Sequence, residues 1–332
     1  MGIRMLQKFT VLAGVMAALL AGPVAAQQPT KLTLRMSWSP FGFHTAMFYA
    51  IEKGWFKDGG VLLEPEDGNG SATAVNLAGS GRFDIGEGSV SVMAIARDKG
   101  MPLKAIACFI RGTELGVLVP RGSSLRTPKD LEGKKVAYTA GSLESPFIES
   151  FLRAGGADPS KVGLLNVDAA AKISIYVAGQ ADGSITSVPF ILPALEKTRP
   201  SDTIMFADYG FNLPSVGYVV TEETLRTKHA ALQTFVTVMS RAFQDVLENG
   251  KVDEAIAAEI KQRPQARLTA EDLRAQVEAY RKYFYTPNTR GKPQGWQSPE
   301  DWRSVIEGMQ KVSLISASAA PEDFYTNEFF PK

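Results

Sequence analysis

Short apolar stretches alternate with amphipathic ones from about residue 32 to residue 220. The short stretches, many of them β-branched, predict strands, and stretches with apolar residues every three or four positions predict helices. The predicted strands are Leu32–Met36, Val61–Glu64, Phe83–Gly86, Leu103–Cys108, Gly116–Val119, Lys135–Tyr138, Lys161–Asn166, Gly183–Ile185, Thr203–Phe206 and Gly217–Val220. The predicted helices are His44–Phe56, Ala72–Ala78, Val90–Lys99, Thr127–Leu131, Leu143–Ala154, Ala169–Ala178 and Pro189–Lys197.

This alternation predicts mainly parallel sheets with helices on both faces. The pattern restarts after residue 115, and from Glu222 onward it is nearly all helical, with breaks at Asn249-Gly250, Arg263-Pro264 and Thr286–Gly295. We therefore predict two α/β lobes, one made of residues 27–115 with 216–332 and one of residues 116–215, with the helical tail packed on the first lobe. Ligands on such sheets bind beyond the carboxyl ends of the strands, so the cleft between the lobes is the expected site.

The composition excludes several classes of function. With 36 Lys and Arg against 35 Asp and Glu, the net charge of +1 gives no support to a nucleic-acid partner. The single cysteine, Cys108, excludes an intrachain disulfide framework and a cysteine metal cluster, and its apolar strand predicts a buried thiol. Two histidines, His44 and His229, cannot form a metal site without carboxylates. Neither a Gly-x-Ser-x-Gly nor a His-Glu-x-x-His motif occurs, so we assign no catalytic residue, metal or cofactor.

The first 26 residues follow the order of a secretory signal peptide. Arg4 and Lys8 precede the apolar run Phe9–Leu20, which is too short to span a bilayer, and small residues precede Gln27. We expect cleavage after Ala26 and a soluble, periplasmic protein. A buried N-terminal helix is the alternative interpretation.

Five loops that follow predicted strands carry residues suited to ligand contact. The first is rich in aromatic side chains, which either stack on a planar ligand or fill the hinge between the lobes. The second opens a helix whose free N–H groups favour an oxygen atom, with Ser71 as its N-cap, although an ordinary capped turn fits equally well. The candidate ligand-binding residues in the five loops are Trp38, Pro40 and His44; Gly70 and Ser71; Glu87 and Ser89; Gly141, Ser142 and Glu144; and Asp182 and Ser187.

The charges in these loops bear on the kind of ligand. Glu87 or Glu144 could accept a hydrogen bond from an amino group, or each could be an ordinary turn or helix-start acid. Ser187 could instead cap the helix that follows it. The five loops contain no Lys or Arg, which argues against a dianionic ligand, although helix N-termini can hold an anion without a cation.

Motifs spread over the chain resemble the solute-binding proteins of ABC importers for sulfonate, nitrate, taurine and thiamine precursors. They are Trp38-x-Pro40-x-x-x-His44, Ala50-Ile-Glu-Lys-Gly54-Trp55-Phe56-Lys57, Gly70-Ser71, Gly79-x-Gly81-x-Phe83-Asp84-Ile85-Gly86, Asp130-Leu131-x-Gly133-Lys134-Lys135-Val136 and Gly179-Gln180-Ala181-Asp182. The closing Tyr325-Thr-Asn-Glu-Phe329 is most similar to the thiamine-pyrimidine branch. The resemblance implies a periplasmic-binding-protein type II fold and a monomer that closes on a small molecule and delivers it to an ABC permease in the inner membrane. The implied ligand is a thiamine-precursor pyrimidine or similar planar heterocycle, with sulfonate, taurine or nitrate as the alternative.

The same branch contains fungal enzymes that make the thiamine pyrimidine from pyridoxal phosphate and a histidine. The resemblance places a lysine of those enzymes at Gly88, a histidine at Val92 and a cysteine-rich cluster near Asn212–Ser215, and this chain has none of the three. We therefore expect a binding protein without catalytic residues or cofactor. A pyrimidine-synthase-like enzyme on the same fold is the less favoured alternative.

Overall fold

The computed structural model describes residues 28–331 and places their strands in two five-stranded sheets. The predicted signal peptide lies outside the described residues. The first sheet contains β1 (Thr30–Arg35), β2 (Val61–Glu66), β3 (Ile85–Ser89), β4 (Leu103–Cys108) and β10 (Val216–Thr221). The second contains β5 (Leu115–Pro120), β6 (Lys135–Tyr138), β7 (Gly163–Asn166), β8 (Gly183–Ser187) and β9 (Ser201–Met205). The predicted two-lobed α/β fold is confirmed. Each sheet, together with the helices packed on it, forms one lobe, and we call the lobe of the first sheet the first lobe and that of the second sheet the second lobe.

The two sheets share one topology. Their strand orders are β2-β1-β3-β10-β4 and β7-β6-β8-β5-β9. The strand pairs β1–β2 and β1–β3, like β6–β7 and β6–β8, are parallel, as predicted. The exceptions are β10 and β5, which follow the two crossovers between the lobes and run antiparallel to both of their neighbours.

Twelve α-helices lie within the described residues. They are α1 (Thr45–Glu52), α2 (Trp55–Asp58), α3 (Ser71–Gly79), α4 (Val90–Asp98), α5 (Ile148–Ala154), α6 (Lys172–Val177), α7 (Val188–Leu195), α8 (Glu222–Thr227), α9 (His229–Leu247), α10 (Val252–Gln262), α11 (Ala270–Tyr280) and α12 (Pro299–Lys311). Short 3-10 helices include Gly42–His44 before α1 and Ser145–Phe147 before α5. In this part of the chain, no helix is both long enough and apolar enough to cross a bilayer.

Two of the differences from the predicted helices involve Gly54 and Ser71. The predicted helix His44–Phe56 is divided because Gly54 adopts a left-handed conformation (φ 74°) between α1 and α2. Ser71 is not the N-cap of α3: Gly70 holds that position, and the Ser71 hydroxyl accepts a hydrogen bond from the Ser89 amide instead. Ser89 itself caps α4 by accepting from the Val92 amide.

The helical tail contacts both lobes, whereas the prediction placed it on the first alone. Helices α9 and α10 pack against α1, as expected from their amphipathic pattern. Helix α11 instead packs against α7 of the second lobe, and Gln276 donates to the Phe190 carbonyl there. The same Gln276 accepts from the Gly42 amide of the first lobe, so α11 bridges the lobes.

The two crossovers between the lobes are joined to each other by side chains. The Thr113 hydroxyl accepts from the Leu213 amide and donates to the Leu213 carbonyl. Ser215 donates to Glu114 at 2.6 Å, and Glu114 is fully buried. Burial raises the pKa of Glu114 to about 8. This acid therefore retains its proton at neutral pH inside the hinge.

Candidate ligand-binding cleft

A cavity lies between the carboxyl ends of the strands of the two sheets, where the topology predicts it. Its empty volume is about 580 Å³, which includes open solvent at the mouth. The first lobe contributes Ser37, Trp38, Phe41 and Ser71; the second contributes Ser142, Leu143, Glu144, Ala169, Lys172, Ile173, Thr186, Ser187, Phe190 and Ile191; Val216 and Tyr280 complete the lining.

Aromatic rings from three separate segments form much of the wall. Phe41 in the loop after β1 lies 4.9 Å from Phe190 of α7 and 5.9 Å from Tyr280 of α11, between ring centroids. Trp38 meets Phe190 edge-on at 6.4 Å. The rings of the two lobes thus approach one another across the cleft, and they offer apolar faces with defined geometry to a flat ligand.

A buried carboxylate anchors the aromatic loop. Glu87 Oε1 accepts from the amide and hydroxyl of Ser37, at 3.2 and 2.7 Å, and lies 2.9 Å from His44 Nε2. The Phe41 amide donates to His44 Nδ1, which places the proton of a neutral imidazole on Nε2, where it is donated to Glu87. Glu87 and His44 are both almost completely buried. They therefore hold the loop from behind rather than face the cavity.

Two glycines meet at the mouth of the cleft. The carbonyl of Gly141 in the second lobe accepts a hydrogen bond from the amide of Ala72 in the first turn of α3, at 3.0 Å. The free N–H groups of this helix start thus engage an oxygen, but a backbone one. A Cβ on Gly70 would lie 2.6 Å from that carbonyl oxygen, so the close approach depends on glycine. These contacts describe a closed cleft.

An ion pair forms part of the second-lobe wall. Lys172 Nζ lies 2.9 Å from Glu144 Oε1, and their side chains are only 5% and 1% exposed. Lys172 also donates to the Ile185 carbonyl at 3.1 Å. Lys172 reaches the cavity from α6, so the cleft contains a cation although the five loops contain no Lys or Arg.

The family of the chain follows from a comparison with family profiles. The profile described as "NMT1/THI5 like" matches residues 43–252, more than half of the chain. The chain belongs to this family.

Relatives of this NMT1/THI5-like chain include both binding proteins and synthases. The formylaminopyrimidine-binding protein of Halalkalibacterium halodurans is 23% identical over 88% of each chain. The 4-amino-5-hydroxymethyl-2-methylpyrimidine phosphate synthase of Legionella pneumophila is 22% identical over 91% of this chain and 93% of its own. Among solved structures, the alkanesulfonate-binding protein SsuA of Xanthomonas axonopodis pv. citri, bound to MOPS, superposes with a TM-score of 0.69 at 15% identity, covering 91% of this chain and 99% of its own. The structural likeness establishes the periplasmic-binding-protein fold.

The candidate residues of this NMT1/THI5-like protein occupy three kinds of position. Those on the cavity wall are Trp38, Ser71, Ser142, Glu144 and Ser187. Those that hold the wall or close the mouth are His44, Glu87, Ser89, Gly70 and Gly141. Ser187 has the backbone position of an N-cap but makes no capping bond; its hydroxyl pairs with Tyr280 at 2.7 Å instead.

Two candidates lie away from the cavity, contrary to the prediction. Asp182 is exposed at the amino end of β8, where it accepts from the Lys135 amide at 2.8 Å; the cavity lies at the opposite end of this strand. Pro40 is buried and borders a neighbouring groove beside α11 instead.

The wall residues that the sequence did not single out as candidates include Lys172, Phe190 and Tyr280. Phe190 lies only three residues after Ser187 of the fifth loop. Lys172 and Tyr280 lie inside helical patterns and carry no local signal of a binding role. Burial raises the pKa of the Tyr280 phenol well above its ordinary value, so it stays neutral in the cleft.

Proposed function

We propose that this protein is the periplasmic solute-binding component of an ABC importer and closes its two lobes on a planar heterocycle, such as a thiamine-precursor pyrimidine. The observation that carries the proposal is the cavity between the lobes, whose aromatic wall comes from both of them. A ligand held by both lobes stabilises the closed form, which the permease can then distinguish from the open form.

The lining supports a small, flat ligand. Trp38 offers a ring face from the first lobe, and Phe190 and Tyr280 offer apolar surface opposite. Glu144 supplies an acceptor for an amino group, whereas Glu87, lying behind Ser37, does not. The similarity to a formylaminopyrimidine-binding protein points to the same class of ligand.

The lobe boundaries are part of the proposal. We take residues 27–115 with 216–332 as one rigid unit and residues 116–215 as the other, which the membership of the two sheets supports. The first of these units, which includes the helical tail, also contacts the second lobe through α11. Closure of the lobes therefore involves the contact between α11 and α7. We further propose that the protein acts as a monomer with an inner-membrane permease as its partner.

Calorimetric titration tests the ligand class. Residues 27–332 are titrated with formylaminopyrimidine, riboflavin, taurine, an alkanesulfonate and nitrate. We expect saturable heat with a heterocycle and none with the anions. Tight binding of a sulfonate without any response to a heterocycle would refute this ligand class and favour the sulfonate, taurine or nitrate alternative, to which SsuA is the structural parallel.

Export and transport need separate measurements. The mass of the protein from a periplasmic extract should correspond to a chain that begins at Gln27. Deletion of the gene should abolish high-affinity uptake of the radiolabelled ligand, and a copy lacking residues 1–26 should not restore it. An intact N-terminus in the cytosolic fraction, with normal uptake after deletion, would refute the importer role.

A pyrimidine-synthase-like activity is the second candidate, since synthases occur among the relatives. A side chain at Gly88, where the resemblance places the enzyme lysine, would meet Ser71 Oγ at 2.8 Å from its Cβ, which argues against that chemistry here. The test is incubation with pyridoxal phosphate and borohydride. We expect no imine absorption band; a stable adduct on one cleft lysine, Lys172 above all, would support the enzyme.

A further inference from the structure

We infer that Glu144 and Lys172 form a charge filter, which restricts the cleft to uncharged ligands that present a hydrogen-bond donor beside an acceptor. This inference rests on the proposed binding function and names the residues that decide its selectivity.

The pair has unused bonding capacity, and both of its residues belong to the cavity wall. Lys172 donates to Glu144 Oε1 and to the Ile185 carbonyl, so one of its three N–H groups remains. Glu144 Oε2 makes no hydrogen bond with any residue in 28–331. Both side chains line the cavity. One free donor and one free acceptor therefore lie side by side in the wall.

The surroundings add no net positive charge. Tyr280, the other titratable group on the wall, is kept neutral by burial. Glu114 of the crossover is close enough to interact with Glu144, and burial raises the pKa of Glu114 to about 8, so it is neutral at pH 7. Behind the first-lobe wall lies the carboxylate of Glu87, next to His44. Among the described residues, no cation other than Lys172 lines the cavity, and Lys172 already has a partner.

An anion would therefore have to compete with Glu144 for the ammonium group. If it succeeded, Glu144 would be left as an unpaired carboxylate with 1% exposure, which is strongly unfavourable. A zwitterion such as taurine would have to separate the pair as well. An uncharged amidine-like or amide-like edge, by contrast, donates to Glu144 Oε2 and accepts from Lys172 while the ion pair stays intact.

The test uses Glu144→Gln, which is nearly isosteric and leaves Lys172 without its counter-charge. We expect at least a ten-fold loss of affinity for formylaminopyrimidine and a gain of at least ten-fold for methanesulfonate. Glu271→Gln is the matched control, because it removes the same charge from an ion pair with Lys197 that is 80% or more exposed. The control should bind like the wild type.

Thermal unfolding tests the charge filter independently of the proposed ligand class. Methanesulfonate should raise the melting temperature of Glu144→Gln but not that of the wild type, even if no heterocycle tested is the true ligand. Should the single variant fail to fold, Glu144→Gln with Lys172→Met removes both charges and should bind neither anion nor heterocycle tightly. Stabilisation of the wild type by methanesulfonate, or unchanged selectivity in a folded Glu144→Gln, would overturn the inference.

Discussion

Closure of the cleft depends on the absence of a side chain at residue 70. In the closed form, an alanine Cβ at this position would lie 2.6 Å from the Gly141 carbonyl oxygen and 3.1 Å from its carbon. An ordinary contact needs about 3.4 Å. The opposing backbone must therefore retreat by several tenths of an ångström, and this displacement stretches the adjacent hydrogen bond from the Ala72 amide to the Gly141 carbonyl, now 3.0 Å long.

The cost of Gly70→Ala follows from that geometry. Loss of one hydrogen bond between the lobes costs about 1 kcal/mol, which corresponds to roughly a five-fold rise in Kd. Calorimetry with the ligand found by titration measures this rise. Gly81→Ala is the control, because residue 81 also has a positive φ (74°) but a Cβ there would have no atom within 4 Å, and the Kd of this variant should not change. An unchanged Kd for Gly70→Ala would refute the reasoning.

Three further predictions concern the wall, the hinge and the core. Trp38→Ala should weaken ligand binding by about 1–3 kcal/mol through lost burial and stacking, while Trp55→Ala, outside the cavity, should leave affinity unchanged in calorimetry. Glu114 has a pKa of 4.5 when unfolded and about 8 when folded, so the folded chain keeps a proton that the unfolded chain loses. The contribution of Glu114 to the free energy of unfolding should therefore fall as the pH rises from 4.5 to 8, by at most about 1.4 kcal/mol per pH unit. Urea unfolding at pH 5, 6.5 and 8 should give a smaller slope for Glu114→Gln than for the wild type, with a remaining slope from buried Glu259, whose pKa is also raised by burial; parallel curves would contradict it. The Cys108 thiol is buried, which raises its pKa, so Ellman's reagent should react with it in urea but not in native buffer; rapid native labelling would contradict the packing.

Much of the fold could be predicted because strand and helix patterns are local. The strands Leu103–Cys108 and Lys135–Tyr138 were predicted to the residue, and the buried thiol of Cys108 followed from its apolar strand. Short helices were less predictable. The division at Gly54 depends on a left-handed backbone conformation that periodicity does not express.

The site was predictable where it follows strand ends in the chain. Trp38 lies in the loop after β1, Ser142 and Glu144 lie in the loop after β6, and all three line the cavity. Asp182 was misplaced because it stands at the amino end of its strand, which the sequence pattern does not distinguish from the carboxyl end.

By itself, therefore, the sequence determined the alternation of elements, the fold class and the loops from which the cleft is built, since each depends on neighbours in the chain. Tertiary structure alone decided which side chains share the cavity. Lys172 comes from a helix and contacts Glu144, and Tyr280 comes from the distant tail and contacts Ser187. The tertiary structure also decided that Glu87 lies behind Ser37, because burial and hydrogen bonding depend on partners that are far away in the sequence.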